Sequence, residues 1–340
     1  MSRIITFGEI MLRLSPNGYY RFCQNDLLQA TYGGGEANVA VSLANFGVDV
    51  GFVTKLPNNP IAKGAIDMLK YFSVDTSKVV FGGERIGIYF LEKGAGERPS
   101  VCVYDRKHSS IQESSATDFD WDNIFERTEW FHFTGITPAL GPNLVEICRQ
   151  ACVAAKEKGI TISCDLNYRS KLWNREMARD VMTDLCQYVD VCIANEEDAK
   201  DVFGMEASHT DIERGQLDSA GYMRVAEQLK QMFNFKCVAI TLRSSISASD
   251  NDWAGLLYDG KEHYFSRTHH IRIIDRVGGG DSFGAGLIYS LINGYDSRTA
   301  IEFAVAASAL KQTIEGDFNR VSVAEVNKLM HGTVTGRISR

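Results

Sequence analysis

The stretch Asp275-Arg276-Val277-Gly278-Gly279-Gly280-Asp281-Ser282-Phe283-Gly284-Ala285-Gly286 holds three consecutive glycines, then an acid, then an apolar helical pattern at Phe283, Leu287, Ile288 and Leu291. Glycines let bare backbone N–H groups crowd around one point. A helix starting there turns its unbonded N–H donors and the positive end of its dipole toward the same point. Such a place holds phosphate, or the charge of a phosphoryl group in transit. An acid among these donors would repel a bound anion, but it makes sense if Asp281 addresses the hydroxyl that attacks phosphorus. The expected chemistry is phosphoryl transfer, with Asp281 as base and the amides of Gly278, Gly279 and Gly280 holding the developing charge. Glycine runs also mark plain turns and Asp is a common helix N-cap, so this segment alone serves either reading. A carboxylate at a helix N-terminus is favoured in its charged form, so the pKa of Asp281 is expected to fall.

A second cluster, Gly33-Gly34-Gly35, precedes another helical stretch and is followed by Glu36, Ala37 and Asn38. Asn38 offers both a donor and an acceptor. Together the two clusters describe a two-sided site, with a sugar at the first and phosphate at the second.

The elements that must position these residues alternate along the chain. Strand patterns are expected at Ile4–Phe7, Val50–Thr54, Trp130–Phe133, Thr161–Cys164, Val189–Ala194 and Lys236–Leu242. Helical patterns are expected at Glu36–Phe46, Ala62–Tyr71, Leu144–Lys158, Arg175–Tyr188 and Met223–Phe233. This alternation predicts an α/β fold: a central, mostly parallel sheet with helices on both faces and ligands at the carboxyl ends of the strands. Two stretches break the rhythm. Leu12–Thr31 reads as polar and irregular, and Arg85–Tyr104 as a hairpin, Ile86–Leu91 and Val101–Tyr104, around a turn-rich Lys93–Pro99. We expect segments of about 12–32 and 85–110 to form a small β lid on a single domain spanning 1–332, with 333–340 a polar tail.

The two glycine signatures, Gly34-Gly35 with Asn38 and Asp275-x-x-Gly278-x-Gly280-Asp281, make the chain resemble the ribokinase-like (PfkB) carbohydrate kinase family from about Ile4 to Met330. Within that family it is most similar to 2-keto-3-deoxygluconate kinases, on Gly87-Ile88-Tyr89-Phe90, Tyr104-Asp105-Arg106, Asp165-Leu166-Asn167-Tyr168-Arg169 with Leu172-Trp173, and the Gly278–Phe283 variant. The resemblance implies ATP-dependent phosphorylation of the terminal hydroxyl of 2-dehydro-3-deoxy-D-gluconate. Arg matches a carboxylate with two parallel hydrogen bonds, so Arg169 is expected to clamp the sugar acid with Arg106 as helper. Gly34, Gly35, Asn38, Tyr89, Tyr104 and Asn167 are the remaining expected sugar contacts. Tyr89 and Tyr104 serve equally as aromatics of the lid core.

On the nucleotide side, the resemblance implies contacts from Asn195, Thr241, Arg243, Ser245, Gly278, Gly280 and Ser308, with Lys311 and Gly316 near the adenine. Asn195-Glu196-Glu197-Asp198 resembles the family's Asn-x-x-Glu element, which places Mg2+ through water. Asp198 stands where the family has Glu and is one methylene shorter; Glu196 or Glu197 are the alternatives. The resemblance also implies a monovalent cation near Asp275 and a homo-oligomer.

Composition sets the outer bounds. The 340 residues are 44% hydrophobic and 23% charged, with a net charge of −7, which excludes a global attraction to nucleic acid or anionic membrane. Eight cysteines without a CxxC pair read as buried free thiols in a reducing cytoplasm. A nicotinamide dehydrogenase is disfavoured because no G-x-G-x-x-G follows the first strand. Two competitors stay open: a kinase for a neutral ketose such as fructose, and a non-catalytic sugar sensor on the same fold.

Overall fold

The computed structural model describes residues 3–24, 26–195, 197–206 and 219–332. The expected tail at 333–340 and the Glu196 alternative lie outside them. Fifteen strands are described: β1 (Arg3–Phe7), β2 (Met11–Ser15), β3 (Gln29–Gly33), β4 (Asp49–Val53), β5 (Lys55–Leu56), β6 (Val80–Phe81), β7 (Gly87–Glu92), β8 (Val101–Asp105), β9 (Thr128–Thr134), β10 (Thr161–Asp165), β11 (Val191–Ala194), β12 (Cys237–Ser245), β13 (Asp250–Tyr258), β14 (His263–Phe265) and β15 (His269–Arg272).

The large sheet runs β14-β13-β12-β11-β10-β9-β1-β4, with β15 also on β13. From β4 to β12 every pairing is parallel. The strands from β13 onward are antiparallel. Side chains on these strands alternate between two cores. Ile4 packs with Ala40 and Phe283 on one face, and Ile5, Phe7 and Phe131 pack with Leu144 and Cys148 on the other. The first face is covered by the helices Gly35–Asn45, Pro60–Tyr71, Gly279–Ile292, Ser297–Lys311 and Val323–Met330; the second by Pro142–Glu157, Arg175–Leu185 and Ser219–Phe233. Phe283 shows how the glycine helix is anchored. It lies two residues past Asp281 and is fully buried, a contribution of about 1.5–3 kcal/mol.

The second sheet has the order β3-β2-β7-β8. The hairpin expected from Arg85 onward is the antiparallel pair β7–β8. The expectation of irregular chain over Leu12–Thr31 needs correction, because both ends are strands that pair antiparallel. In β2, Met11, Arg13 and Ser15 face inward while Leu12 and Leu14 are half-buried. A buried arginine at the inward phase disguises the alternation.

Six of the eight cysteines are buried and all are free thiols. Among the described residues no helix is long and apolar enough to cross a membrane.

Candidate active site

A cavity of about 420 Å³ opens where the carboxyl ends of β10, β11 and β12 face the small sheet. Asp165, Ala194 and Thr241 come from the large sheet, and Met11, Tyr89 and Tyr104 from the small one. Parallel strands with helical crossovers leave a crevice at this end, and its size suits a small organic ligand.

Two helix N-termini meet in the cavity. Gly34 precedes the helix Gly35–Asn45, and Gly278 precedes the helix Gly279–Ile292; the two helices pack against each other. Asn38 joins them: its Oδ1 accepts from Gly34 N at 3.3 Å, and its Nδ2 donates to Asp281 Oδ2 at 2.6 Å. The two glycine clusters, 243 residues apart, are thus one site.

Gly278 has a φ of 83°, the left-handed region that glycine enters without penalty. A Cβ there would also lie 2.1 Å from the Asp317 carbonyl. Gly280 differs, because a Cβ on it would meet nothing within 4 Å. No protein atom requires glycine at 280, which borders the cavity and leaves its backbone open to it. Gly279 N–H is already used, donating to the Arg276 carbonyl at 3.2 Å. This corrects the expectation of three free cradle amides: the turn that starts the helix consumes one. Gly280 and Asp281 follow in the first helical turn, where N–H groups have no earlier carbonyl to bond.

Burial pushes the Asp281 carboxyl up to about 6; the charge of Asp317 adds to this, and the Asn38 hydrogen bond opposes it. The expected fall is therefore wrong in sign. The helix end favours the carboxylate, but loss of water around it costs more. Asp281 is consequently a better proton acceptor than a helix-end argument allows. Asp165, also in the cavity wall, is held well above the usual carboxylate range by burial and by Asp198 and Asp281, with Arg169 opposing.

Arg169 lines the cavity with its side chain exposed, and its Nη1 donates to the Tyr168 carbonyl at 3.2 Å. Asn167 beside it has a φ of 40°, a conformation that Asn tolerates better than most residues. Gly34, Gly35, Tyr104, Asn195, Thr241 and Arg243 also reach the cavity wall.

The PfkB family model, described as pfkB family carbohydrate kinase, matches residues 1–320. The chain belongs to this family. A solved structure of 2-dehydro-3-deoxygluconokinase from Thermotoga maritima is 50% identical, with a TM-score of 0.94, covering 97% of this chain and 98% of that one. A 2-dehydro-3-deoxygalactonokinase from Haloferax volcanii is 30% identical over 98% of both chains. A 2-dehydro-3-deoxygluconokinase from Bacillus subtilis is 26% identical over 94% of this chain and 93% of its own.

Several residues carried over from the PfkB family are held elsewhere. Arg106 reaches the cavity wall, but its guanidinium grips Glu9 through Nε, at 2.8 Å, and Nη2. A cation already paired with a buried carboxylate is a poor second clamp, which corrects the helper role. The Tyr89 hydroxyl is likewise engaged with Asp317 at 2.6 Å. Ser308 is fully buried and donates to the Gly279 carbonyl at 2.7 Å; it braces the glycine turn from behind and is not in the cavity wall. Ser245 lies on β12 beyond Thr241 and Arg243 and is not in the cavity wall.

Lys311 is fully buried and is not in the cavity wall, and Gly316 N donates to Asp275 Oδ2 at 3.2 Å, so both belong to the support under the cradle. Asp198 is buried and accepts from Tyr168 N at 3.0 Å and Asn195 N at 2.9 Å. It ties the loops after β10 and β11 together instead of facing a metal. Glu197 is exposed and outside the cavity wall. Among the described residues, no group of three acidic, His or Cys side chains is placed to hold a metal ion.

Sequence reasoning missed Glu9, Arg13, Glu36, Arg276 and Asp317. Glu36 accepts from Thr134 N, Thr134 Oγ1 and Thr137 Oγ1 at 2.6–3.0 Å, and burial lifts its carboxyl to about 7. Arg276 stands in the cavity wall, where burial lowers its pKa first and the nearby Arg243 charge lowers it further, with Asp275 opposing. Both guanidinium-bearing residues border the cavity beside the glycine turn.

Proposed function

We propose that this protein transfers the terminal phosphoryl group of ATP to the terminal hydroxyl of 2-dehydro-3-deoxy-D-gluconate. The observation that carries the reading is Asp281: one carboxylate, oriented by Asn38, stands between two helix N-termini in a cavity that an arginine enters from the sugar side. The names of the relatives at 50% and 26% identity support the same substrate.

The sugar acid docks with its carboxylate on Arg169, and Gly34, Gly35, Asn38, Asn167 and Tyr104 take its hydroxyls. Asp281 accepts a hydrogen bond from the terminal hydroxyl and takes its proton as the sugar oxygen bonds to the terminal phosphorus and the bond from that phosphorus to the ADP oxygen breaks, releasing ADP. Gly280 N–H and Asp281 N–H donate to the phosphoryl oxygens, and Arg243 and Arg276 face the polyphosphate with Asn195 and Thr241 beside it. Charge stabilisation and alignment are most of what phosphoryl transfer requires. Magnesium enters as the magnesium–ATP substrate, held by its phosphates; among the described residues the acids do not form a cage for it.

The small sheet, formed within segments of about 12–32 and 85–110, acts as the lid, closing Tyr104 and Leu91 over the sugar and shedding water. Leu28, Val101 and Val103 are exposed on that sheet and its loops, and a second copy of the chain would cover them, giving a homo-oligomer. We place the enzyme in the cytoplasm, with no nucleic acid or membrane partner.

A neutral ketose leaves Arg169 without an ionic partner, which favours the acid. The closest chemical competitor is the galactonate epimer, the substrate in the name of the Haloferax volcanii relative. A thermal-shift panel tests the reading: stabilisation by the two sugar acids and none by fructose is expected, and equal stabilisation by fructose would refute the carboxylate clamp.

A further inference from the structure

Behind the glycine cradle lies a buried set of four charges that the mechanism above does not use. Arg13, almost fully buried on β2, donates from Nη2 to Asp275 Oδ2 at 2.5 Å and from Nη1 to Asp317 Oδ1 at 2.7 Å. Lys311 is fully buried at the end of the helix Ser297–Lys311. Its Nζ donates to two backbone carbonyls, Asp275 O at 3.2 Å and Ile314 O at 3.3 Å. Two cations face two carboxylates, so the set is neutral. Burial lowers the pKa of Lys311 on balance, with the charges of Asp275 and Asp317 opposing the fall.

The placement of Lys311 is specific. A Cβ on Gly278 would lie 3.1 Å from Lys311 Cε, so the stem passes directly under the turn that starts the glycine helix. The carbonyls it holds flank that turn: Asp275 begins the signature, and Ile314 sits in the loop that leads to Asp317. The same two loops are stitched by Ile274 N and Asp275 N donating to Gln312 O, and by Gly316 N donating to Asp275 Oδ2. The ammonium therefore fastens the support of the cradle and places a fixed positive charge behind it.

Carbonyl oxygens arranged around a point are also how proteins hold an alkali cation. The monovalent ion implied near Asp275 does not fit this arrangement. The Asp275 and Ile314 carbonyls already bond to an ammonium, and one more cation would leave the buried set with an uncompensated charge, which is costly in a low-dielectric interior.

We propose that Lys311 is the resident cation of this kinase, a positioning residue that does under the Gly278–Gly280 cradle what a bound potassium or sodium ion would otherwise do, so that turnover needs neither. The inference rests on the kinase reading for its turnover arm only. Its other arm, thermal melting in different salts, reports an ion site whether or not any sugar is phosphorylated.

The test uses the full-length protein in tetramethylammonium, sodium, potassium and ammonium chlorides at equal ionic strength. Wild-type turnover should vary by less than about twofold across the four, since fixed charge at such a cradle is preorganised, and its melting temperature should not single out potassium or ammonium. Lys311→Ala removes the charge and opens a space. Its turnover in tetramethylammonium should fall by about a hundredfold, with the KM for sugar little changed. Potassium, ammonium or methylammonium should restore about tenfold or more and raise its melting temperature. Lys311→Met fills the space without charge and should show the loss without the rescue. A wild type activated several-fold by potassium overturns the proposal, as does a folded Lys311→Ala that no cation rescues or that turns over normally. If neither variant folds, the wild-type salt comparison decides alone.

Discussion

Replacing Asp281 by Asn separates the role of its charge from the role of its shape. Asn38 Nδ2 sits 2.6 Å from Asp281 Oδ2, and the amide oxygen of an asparagine can accept the same bond. The geometry of the helix start should survive, while the proton acceptor is lost. A positioned general base contributes about 10²- to 10⁴-fold, or about 3–5 kcal/mol of barrier at 1.36 kcal/mol per decade. Turnover in a coupled ADP-release assay should fall by that factor, and the sugar KM should move little because the hydroxyl keeps an acceptor. The pH profile supplies a second reading. The folded carboxyl titrates at about 6, raised from 3.8, and must be ionised to accept the proton. Wild-type kcat/KM should therefore fall as pH drops through about 6, and Asp281→Asn should lack that limb. Stability should move the other way. A raised pKa means the folded protein binds this proton more readily than the unfolded chain, so the stabilising contribution is present below pH 3.8 and lost as pH rises through about 6. At pH 7 the variant should thus be the more stable protein, by up to about 3 kcal/mol for a shift of this size. Near-normal turnover, or an unchanged acid limb in the variant, would refute the assignment of Asp281 as base.

Other perturbations address the parts around it. Asn38→Ala removes the hydrogen bond that opposes the rise of the Asp281 pKa, so the acid limb of kcat/KM should shift above pH 6; a limb that stays in place would show the bond to be unimportant. Arg169→Ala should raise the KM for the sugar acid by about 10- to 100-fold, the scale of a charged hydrogen bond of about 1.5–3 kcal/mol, while leaving the KM for ATP unchanged in steady-state kinetics. Ser308→Ala deletes the 2.7 Å bond to the Gly279 carbonyl and should lower stability in urea unfolding by about 1–2 kcal/mol; a large rise in the KM for ATP with no loss of stability would restore the nucleotide role.

The chemistry was legible where it is local. Gly278, Gly279, Gly280 and Asp281 are adjacent, and the apolar spacing from Phe283 onward announces the helix that orients them. The alternation of strands and helices likewise carries the parallel sheet, because each crossover is a local event. What needed coordinates was the company each residue keeps. The direction of the Asp281 pKa depends on how much water the small sheet and the Gly35–Asn45 helix exclude, and no local pattern measures that. Ser308 looked available for a nucleotide, but its helix turns it onto a carbonyl 29 residues earlier. Arg106 looked available for a carboxylate, and Glu9, 97 residues away, already supplies one. A usable signal was present at Arg13: a charge at the inward phase of an apolar strand demands buried partners, which are Asp275 and Asp317.

The central claim, phosphoryl transfer from ATP to a sugar acid, is tested most directly by coupled ADP release over a panel of 2-dehydro-3-deoxy-D-gluconate, its galactonate epimer, fructose and ribose. The account predicts the highest kcat/KM for the gluconate acid and about 10- to 100-fold less for the neutral sugars, which leave the Arg169 guanidinium without the charged hydrogen bond the acid supplies. Fructose turning over as well as the acid, or no ADP release with any sugar, would contradict it.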